Sequence, residues 1–465
     1  MYTDSKFLLT DQEMRKFIVN GYHIVKTSLH PDFHQKIQSR ILALIETEGT
    51  PGNNLLSKVP MLDNVFTDPA ITGALTSILG PDYVMHPHRA CHYHPPKSQA
   101  QAWHKDYPIG GNIRYHRPRM AMAFYYPQDV SDEMGPTAIQ PGTQYFQQYQ
   151  KMVEGLPLCG KAGTVTIVHY DLWHKATENR SKKIRLMLKF LFCRTEEPQQ
   201  PSWNLGGCDD LSWNKRSSFL GVNQNIWQHI WEWYLGHRDT RKKTSYIDNP
   251  RAEEIMGMGE QSANQGKITH LSDLYKFGVL GSPLSISRLI KQLSNESKTE
   301  STSNLDRSDF TNPSQIPILY GLAAGGKKAV TELVEAINNP DWQVRAAVCS
   351  ALGCIGQDAK SAAPHLAKAL SDDSEWVRRN AAEALGNTGD TSQMTETALL
   401  NALDDKRETS SWSLSDSPLR ENAVASLAKV RPSSKAICKL KEASEDENEY
   451  IRAWARIGLS RIRYN

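Results

Sequence analysis

"GTVTIVHYDLWHKATENRSKKIRLMLKFLFCR", residues 163 to 194, reads as two β-strands joined by a polar turn. The first runs through "GTVTIVHY", and Asp171 opens the turn that leads to Trp173 and His174. In the second, side chains alternate. Arg185, Met187 and Lys189 fall on one face, and Leu186, Leu188, Phe190 and Phe192 on the other. A lone arginine on an inward face needs an anionic partner, because an unpaired buried charge is costly. Its planar guanidinium suits a carboxylate, which it can grip with two parallel hydrogen bonds.

Moving outward, "VMHPHRACHYH" (84–94) and "RMAMAFYYP" (119–127) are also short and β-prone, separated by Gly, Pro and Asn. Strands at this density with long irregular connections predict a barrel or sandwich rather than alternating β-α units. Ahead of them, "LLTDQEMRKFIVNGYHIV" (8–25) carries a Thr-Asp cap signal before a helical period.

Four His-x-Asp triplets occur in the chain: 30–32, 104–106, 169–171 and 237–239. In extended chain, His104 and Asp106 aim at one point while Lys105 turns away, which suits a metal. His30-Pro31-Asp32 reads as a helix start, and His237-Arg238-Asp239, after Gly236, as a helix exit. His169-Tyr170-Asp171 closes a strand. A two-histidine, one-carboxylate metal face needs a third ligand from another strand, for which His174 is the candidate. Arg180, in the polar turn, is the rival to Arg185 as an anion anchor. Tyr125, His116, Arg114 and Arg117 are candidates for the substrate pocket, the last three within or beside "YPIGGNIRYHRPR" (107–119), whose arginines would favour an anionic substrate. "HPHRACHYH" could suggest a zinc site, and with it a zinc hydrolase, but offers no evident third ligand or general base; pocket lining or strand surface is the plainer reading.

These motifs carry a family resemblance. "WHKD" (103–106), "EMGPTAIQPGT" (133–143) and "HKATENRSKKIR" (174–185) resemble the phytanoyl-CoA dioxygenase family of non-haem iron, 2-oxoglutarate-dependent oxygenases, over roughly residues 8 to 200. The resemblance implies a double-stranded β-helix (jelly-roll, cupin-like) core. By position it implies that His104, Asp106 and His174 bind Fe(II) and that Arg185 holds the distal carboxylate of 2-oxoglutarate, with O2 as the oxidant. Departures are Lys105 where Gln is common, Thr143-Gln144 in place of Ser-His, and Ala176 where some relatives offer a hydroxyl to the cosubstrate. Family halogenases lack the carboxylate, so Asp106 favours hydroxylation.

The C-terminal third repeats itself. "DWQVRAAVCSALGCIG" (341–356), "SEWVRRNAAEALGNTG" (374–389), "SPLRENAVASLAKV" (417–430) and "NEYIRAWARIGLSRI" (448–462) share one template, with Arg345, Arg378, Arg420 and Arg452 aligned. The steps of 33, 42 and 32 residues predict a solenoid, the long one containing "KRETSSWSLSDS". Each segment follows another amphipathic one, and the pattern resembles HEAT repeats.

Domains are therefore expected at 1–205 (oxygenase), 206–293 (a Trp-rich helical extension around "FLGVNQNIWQHIWEWYLG"), 294–315 (polar linker) and 316–465 (all-α HEAT-like array). With 54 Lys+Arg against 51 Asp+Glu in mixed order, neither a nucleic-acid nor a membrane partner is implied. Seven scattered cysteines without a CxxC pair, and an N-terminus lacking a signal pattern, predict free thiols and a cytoplasmic protein. No stretch approaches the roughly 18 to 20 apolar residues of a membrane helix. The expected partners are a small-molecule substrate and, through the repeats, a protein partner or a second copy. The rival reading is a HEAT scaffold or interaction protein with a vestigial or sensory oxygenase domain.

Overall fold

The computed structural model describes residues 4–106, 115–206, 213, 224–236, 268, 270–300, 312, 316–407 and 417–463. Among the described residues eight strands are formed: β1 (Tyr22–Lys26), β2 (Val84–His94), β3 (Met120–Tyr125), β4 (Thr137–Ile139), β5 (Leu156–Pro157), β6 (Thr164–His169), β7 (His174–Ala176) and β8 (Arg185–Cys193). They make an antiparallel five-stranded sheet, β1-β6-β3-β8-β2, and a three-stranded sheet, β5-β4-β7.

The alternation in β8 divides the core in two. Met187 and Leu191 join Met122, Phe124, Val168 and Ile139 in a small apolar core between the sheets. Leu186, Leu188, Phe190 and Phe192 point the other way and join Ala121, Ala123 and Tyr125 in a larger core. That outer face is covered by helices, among them α1 (Asp11–Asn20), α2 (Pro31–Glu48) and α3 (Pro69–Leu79). The Thr10 signal becomes a capping box with Glu13, and His30 caps α2.

The Trp-rich passage forms α4 (Gln224–Tyr234), with Trp227, Trp231 and Trp233 buried. It is followed by α5 (Leu271–Leu280) and α6 (Pro283–Glu300), so the segment expected to be a linker begins as helix through residue 300. The array then runs from α7 (Pro317–Ala324) through the pairs α8 (Val330–Ala336) and α9 (Trp342–Ile355), α10 (Ala363–Ala369) and α11 (Glu375–Thr388), α12 (Gln393–Ala402) and α13 (Pro418–Lys429), and α14 (Ile437–Ala443) and α15 (Glu449–Ser460). The recurring arginines tie neighbouring repeats. Arg345 grips Asp372 at 2.8 and 2.9 Å, Arg378 faces Asp405 at 3.7 Å, and Arg420 meets Asp446. Small residues set the crossings: a Cβ on Gly386 would lie 2.4 Å from Ser426 Oγ.

Long helices leave their last carbonyls unpaired and partly negative. Here the C-terminal end of α9 faces the β-rich domain, which meets it with cations. Arg117 Nη1 donates to Cys354 and Ile355 carbonyls at 2.8 and 2.9 Å. Arg119 Nη2 reaches Cys354 O at 2.9 Å, and the same guanidinium forms a two-point contact with Glu197. At the far end Tyr450 OH lies 3.0 Å from His88 Nδ1, and Trp454 packs edge-on against His86. One continuous apolar core runs from Leu9 to Ala455.

Candidate metal centre

His104 and His174 approach through a single antiparallel bridge rather than a long strand pair, with reciprocal backbone hydrogen bonds of 3.0 and 2.9 Å. Asp106 joins them, and one ligand atom from each of the three residues lies within 4.8 Å of the others. His104 Nδ1 sits 2.9 Å from Ala102 O, and His174 Nδ1 3.0 Å from Leu172 O. A carbonyl only accepts, so each Nδ1 carries the proton and each Nε2 keeps its lone pair. Burial pushes the His174 imidazole down to about 4, which favours this neutral form. Burial would raise Asp106, but Lys189 and His174 outweigh it and hold the carboxyl well below the usual range. Lys189 Nζ is 2.7 Å from Asp106 Oδ2, and His174 Nε2 is 3.7 Å from Oδ1.

Beyond the triad stands Arg185, 1% exposed. Its Nε donates to Gly135 O at 2.9 Å, while the buried Nη2 has no partner among the described residues. Buried donors are nearly always paired, so this one calls for an acceptor beyond the described residues, a part that a bound carboxylate fits. Gly135 can present its carbonyl there because φ is +70°; a Cβ would lie 2.7 Å from Thr177 O and 2.8 Å from His94 Cδ2. His92, opposite Met187 and therefore on the same inward face, is driven by burial to about 3, and its Nε2 also lacks a partner among the described residues. Two bare imidazole nitrogens, one carboxylate and an unsatisfied guanidinium fit a divalent metal with a carboxylate-bearing cosubstrate.

The other sequence candidates lie elsewhere. Tyr125 points to the outer core, where His34 Nδ1 is 2.7 Å from its hydroxyl, so it does not line the inward site. His116 is stacked on Tyr320 with ring centres 3.7 Å apart, and Arg117 is committed to the helix ends of the array. Neither side chain faces the triad, because the array covers this segment. Arg114 lies outside the described residues, as does the triplet 237–239. Arg180 is exposed and paired with Asp132 at 3.0 Å. The histidine-rich strand splits its side chains between the array (His86, His88), the inward site (His92) and Thr177 O (His94). It makes no second metal cluster among the described residues. Sequence reading placed Lys189 on the inward face but gave it no role; its partner is 83 residues away and only the fold joins them.

Residues 19–187 match the family model for phytanoyl-CoA dioxygenase (PhyH), and residues 330–415 match that for HEAT repeats. Three solved structures show remote likeness. The non-haem alpha-ketoglutarate-dependent carbocyclase SnoK of nogalamycin biosynthesis is 15% identical (TM-score 0.35), covering 42% of this chain and 88% of that one. The epimerase SnoN of the same biosynthesis is 16% identical (TM-score 0.35), covering 40% and 83%. HygX from Streptomyces hygroscopicus, solved with nickel and 2-oxoglutarate, is 12% identical (TM-score 0.35), covering 40% and 88%. Comparison with curated proteins gives no match. The chain thus joins a segment that matches the phytanoyl-CoA dioxygenase family to one that matches HEAT repeats, and Fe(II), 2-oxoglutarate and O2 are the cofactor set that the first match implies.

Proposed function

We propose that this phytanoyl-CoA dioxygenase domain is an active oxygenase that hydroxylates an unactivated C–H bond of a small molecule. The balance is one substrate, one 2-oxoglutarate and one O2 in, and one alcohol, one succinate and one CO2 out. His104, Asp106 and His174 would hold the iron, and Arg185 would bind the distal carboxylate of 2-oxoglutarate. The observation that carries this reading is the buried guanidinium nitrogen of Arg185, without a partner among the described residues, on the face that also presents the triad. A vestigial site has no reason to keep both a complete ligand set and an uncompensated charge.

When bound, the metal and cosubstrate supply the oxidant; the chain's part is to orient and shield. Lys189 engages one oxygen of Asp106, which leaves the other directed at His174. Phe124 lies against the His174 ring and, with Met122 and Met187, walls the site from water. Among the described residues no helix is long and apolar enough to cross a membrane.

The test is anaerobic addition of Fe(II) and 2-oxoglutarate to the purified protein, read as the visible charge-transfer band, followed by a succinate assay under oxygen. Wild type should show the band, and Asp106→Ala and Arg185→Ala should lose most of it. A folded, metal-loaded wild type without the band, and without succinate, would sink the proposal and leave the scaffold reading.

A further inference from the structure

The triplet His169-Tyr170-Asp171 takes no part in the site above, yet its histidine is buried and both ring nitrogens are engaged. Asp171 N donates to His169 Nδ1 at 3.1 Å, so Nε2 carries the proton and donates to the backbone carbonyl of His116 at 3.3 Å. Burial pushes the ring down to about 4, consistent with this neutral state.

On one side, His116 is held by helices of the C-terminal half. Its ring stacks on Tyr320 of α7, and its Nδ1 is 2.8 Å from Tyr275 OH of α5. On the other side, His169 closes the turn before β7: Leu172 N donates to His169 O at 3.0 Å, and Leu172 O accepts from His174 Nδ1 at 3.0 Å. End to end, the contacts run Tyr275, His116, His169, Leu172, His174. They begin on α5, with Tyr320 of the array stacked on the same His116 ring, and finish on a ring of the triad.

We propose that His169 is a positioning residue through which the helical array fixes the direction of the His174 imidazole; this rests on the reading of His104, Asp106 and His174 as a metal site. Outer-shell partners of this kind typically change metal affinity by about 10–100-fold. A histidine that merely filled the core would affect melting and nothing at the metal.

The test uses the full chain with Co(II) alone as the probe, following its dissociation constant and visible ligand-field spectrum. His169→Leu removes both ring contacts and should weaken Co(II) binding about tenfold and alter the band shape. His169→Gln retains a donor and an acceptor and should recover to within about threefold of wild type. Tyr275→Phe, on α5, deletes only a hydroxyl and should move the same band in the same direction by less.

Wild-type affinity and spectrum in His169→Leu, with only a lower melting temperature, would overturn the proposal. If that variant does not fold, an unchanged spectrum in Tyr275→Phe overturns it instead. A wild type that binds Co(II) no better than Asp106→Ala overturns the metal site itself, which separates that failure from this one.

Discussion

The ion pairs that tie the helical repeats and the one that braces the metal centre are made over very different spans of chain. Arg345 finds Asp372 across 27 residues, and the next repeats supply equivalent contacts in Arg378 with Asp405 and Arg420 with Asp446. Lys189 finds Asp106 across 83 residues, and no repeat duplicates it. Repetition spreads the work of holding the stack over many similar contacts, each small. Convergence concentrates a chemical task on groups that have no substitute.

Four measurements can break or sharpen that contrast. The largest effect belongs to Asp106→Ala: metal affinity, read by anaerobic calorimetry, should fall by more than about 100-fold, beyond the usual outer-shell range, while the helical circular dichroism stays as in wild type. Next comes Gly135→Ala. A left-handed backbone disfavours any side chain by about 1–2 kcal/mol, and here the Cβ also meets Thr177 O, so melting should drop and 2-oxoglutarate affinity should weaken, since Gly135 O orients Arg185. An Ala variant with wild-type cosubstrate affinity would show that Arg185 needs no such support.

The third concerns pH. Burial drives His88, beside Tyr450 of the array, down to about 4, and lowers His86 and His116 as well. An unfolded histidine titrates near about 6.5, so between these values the unfolded chain holds more protons. Stability is therefore full above the unfolded value and declines as pH falls toward the folded one. Melting at about pH 5 should be lower than at about pH 7.5, and His88→Gln should shrink the difference. An equal acid loss in His88→Gln would assign the effect to other groups. The smallest effect is Arg345→Ala, a partly exposed pair: about 1 kcal/mol or less of stability, with metal affinity unchanged. Should Arg345→Ala disturb the metal as Asp106→Ala does, the two regions are not separable in the way drawn above.

The same contrast governs what could be read before folding. The array announces itself because its periodicity is local, and the helices fall on the segments that repeat. β8 was legible from alternation alone. The triad was legible from spacing and resemblance together, since His104 and His174 share no element and touch by one bridge. Lys189 was visible as an inward cation, but its contact with Asp106 is tertiary. His116 and Arg117 were misplaced for a related reason: "YPIGGNIRYHRPR" looks like a polar surface loop, and nothing within it signals that helix ends some 235 residues later cover its exit. The opening of the polar segment after residue 293 reads as linker by composition, yet it prolongs an amphipathic helix whose apolar side is anchored earlier, at Ile286, Leu289 and Leu293.

The docking of α9 on Arg117 and Arg119 has a thermodynamic consequence. Two domains joined by a small wet interface melt separately, each with its own transition. Here the guanidinia are buried against helix carbonyls, and a single apolar core crosses the junction. Cutting the chain between the halves would strand those cations in an apolar surface. The catalytic half and the repeat half should thus share one cooperative calorimetric transition, and metal added to the first should raise the melting of the second by mass action.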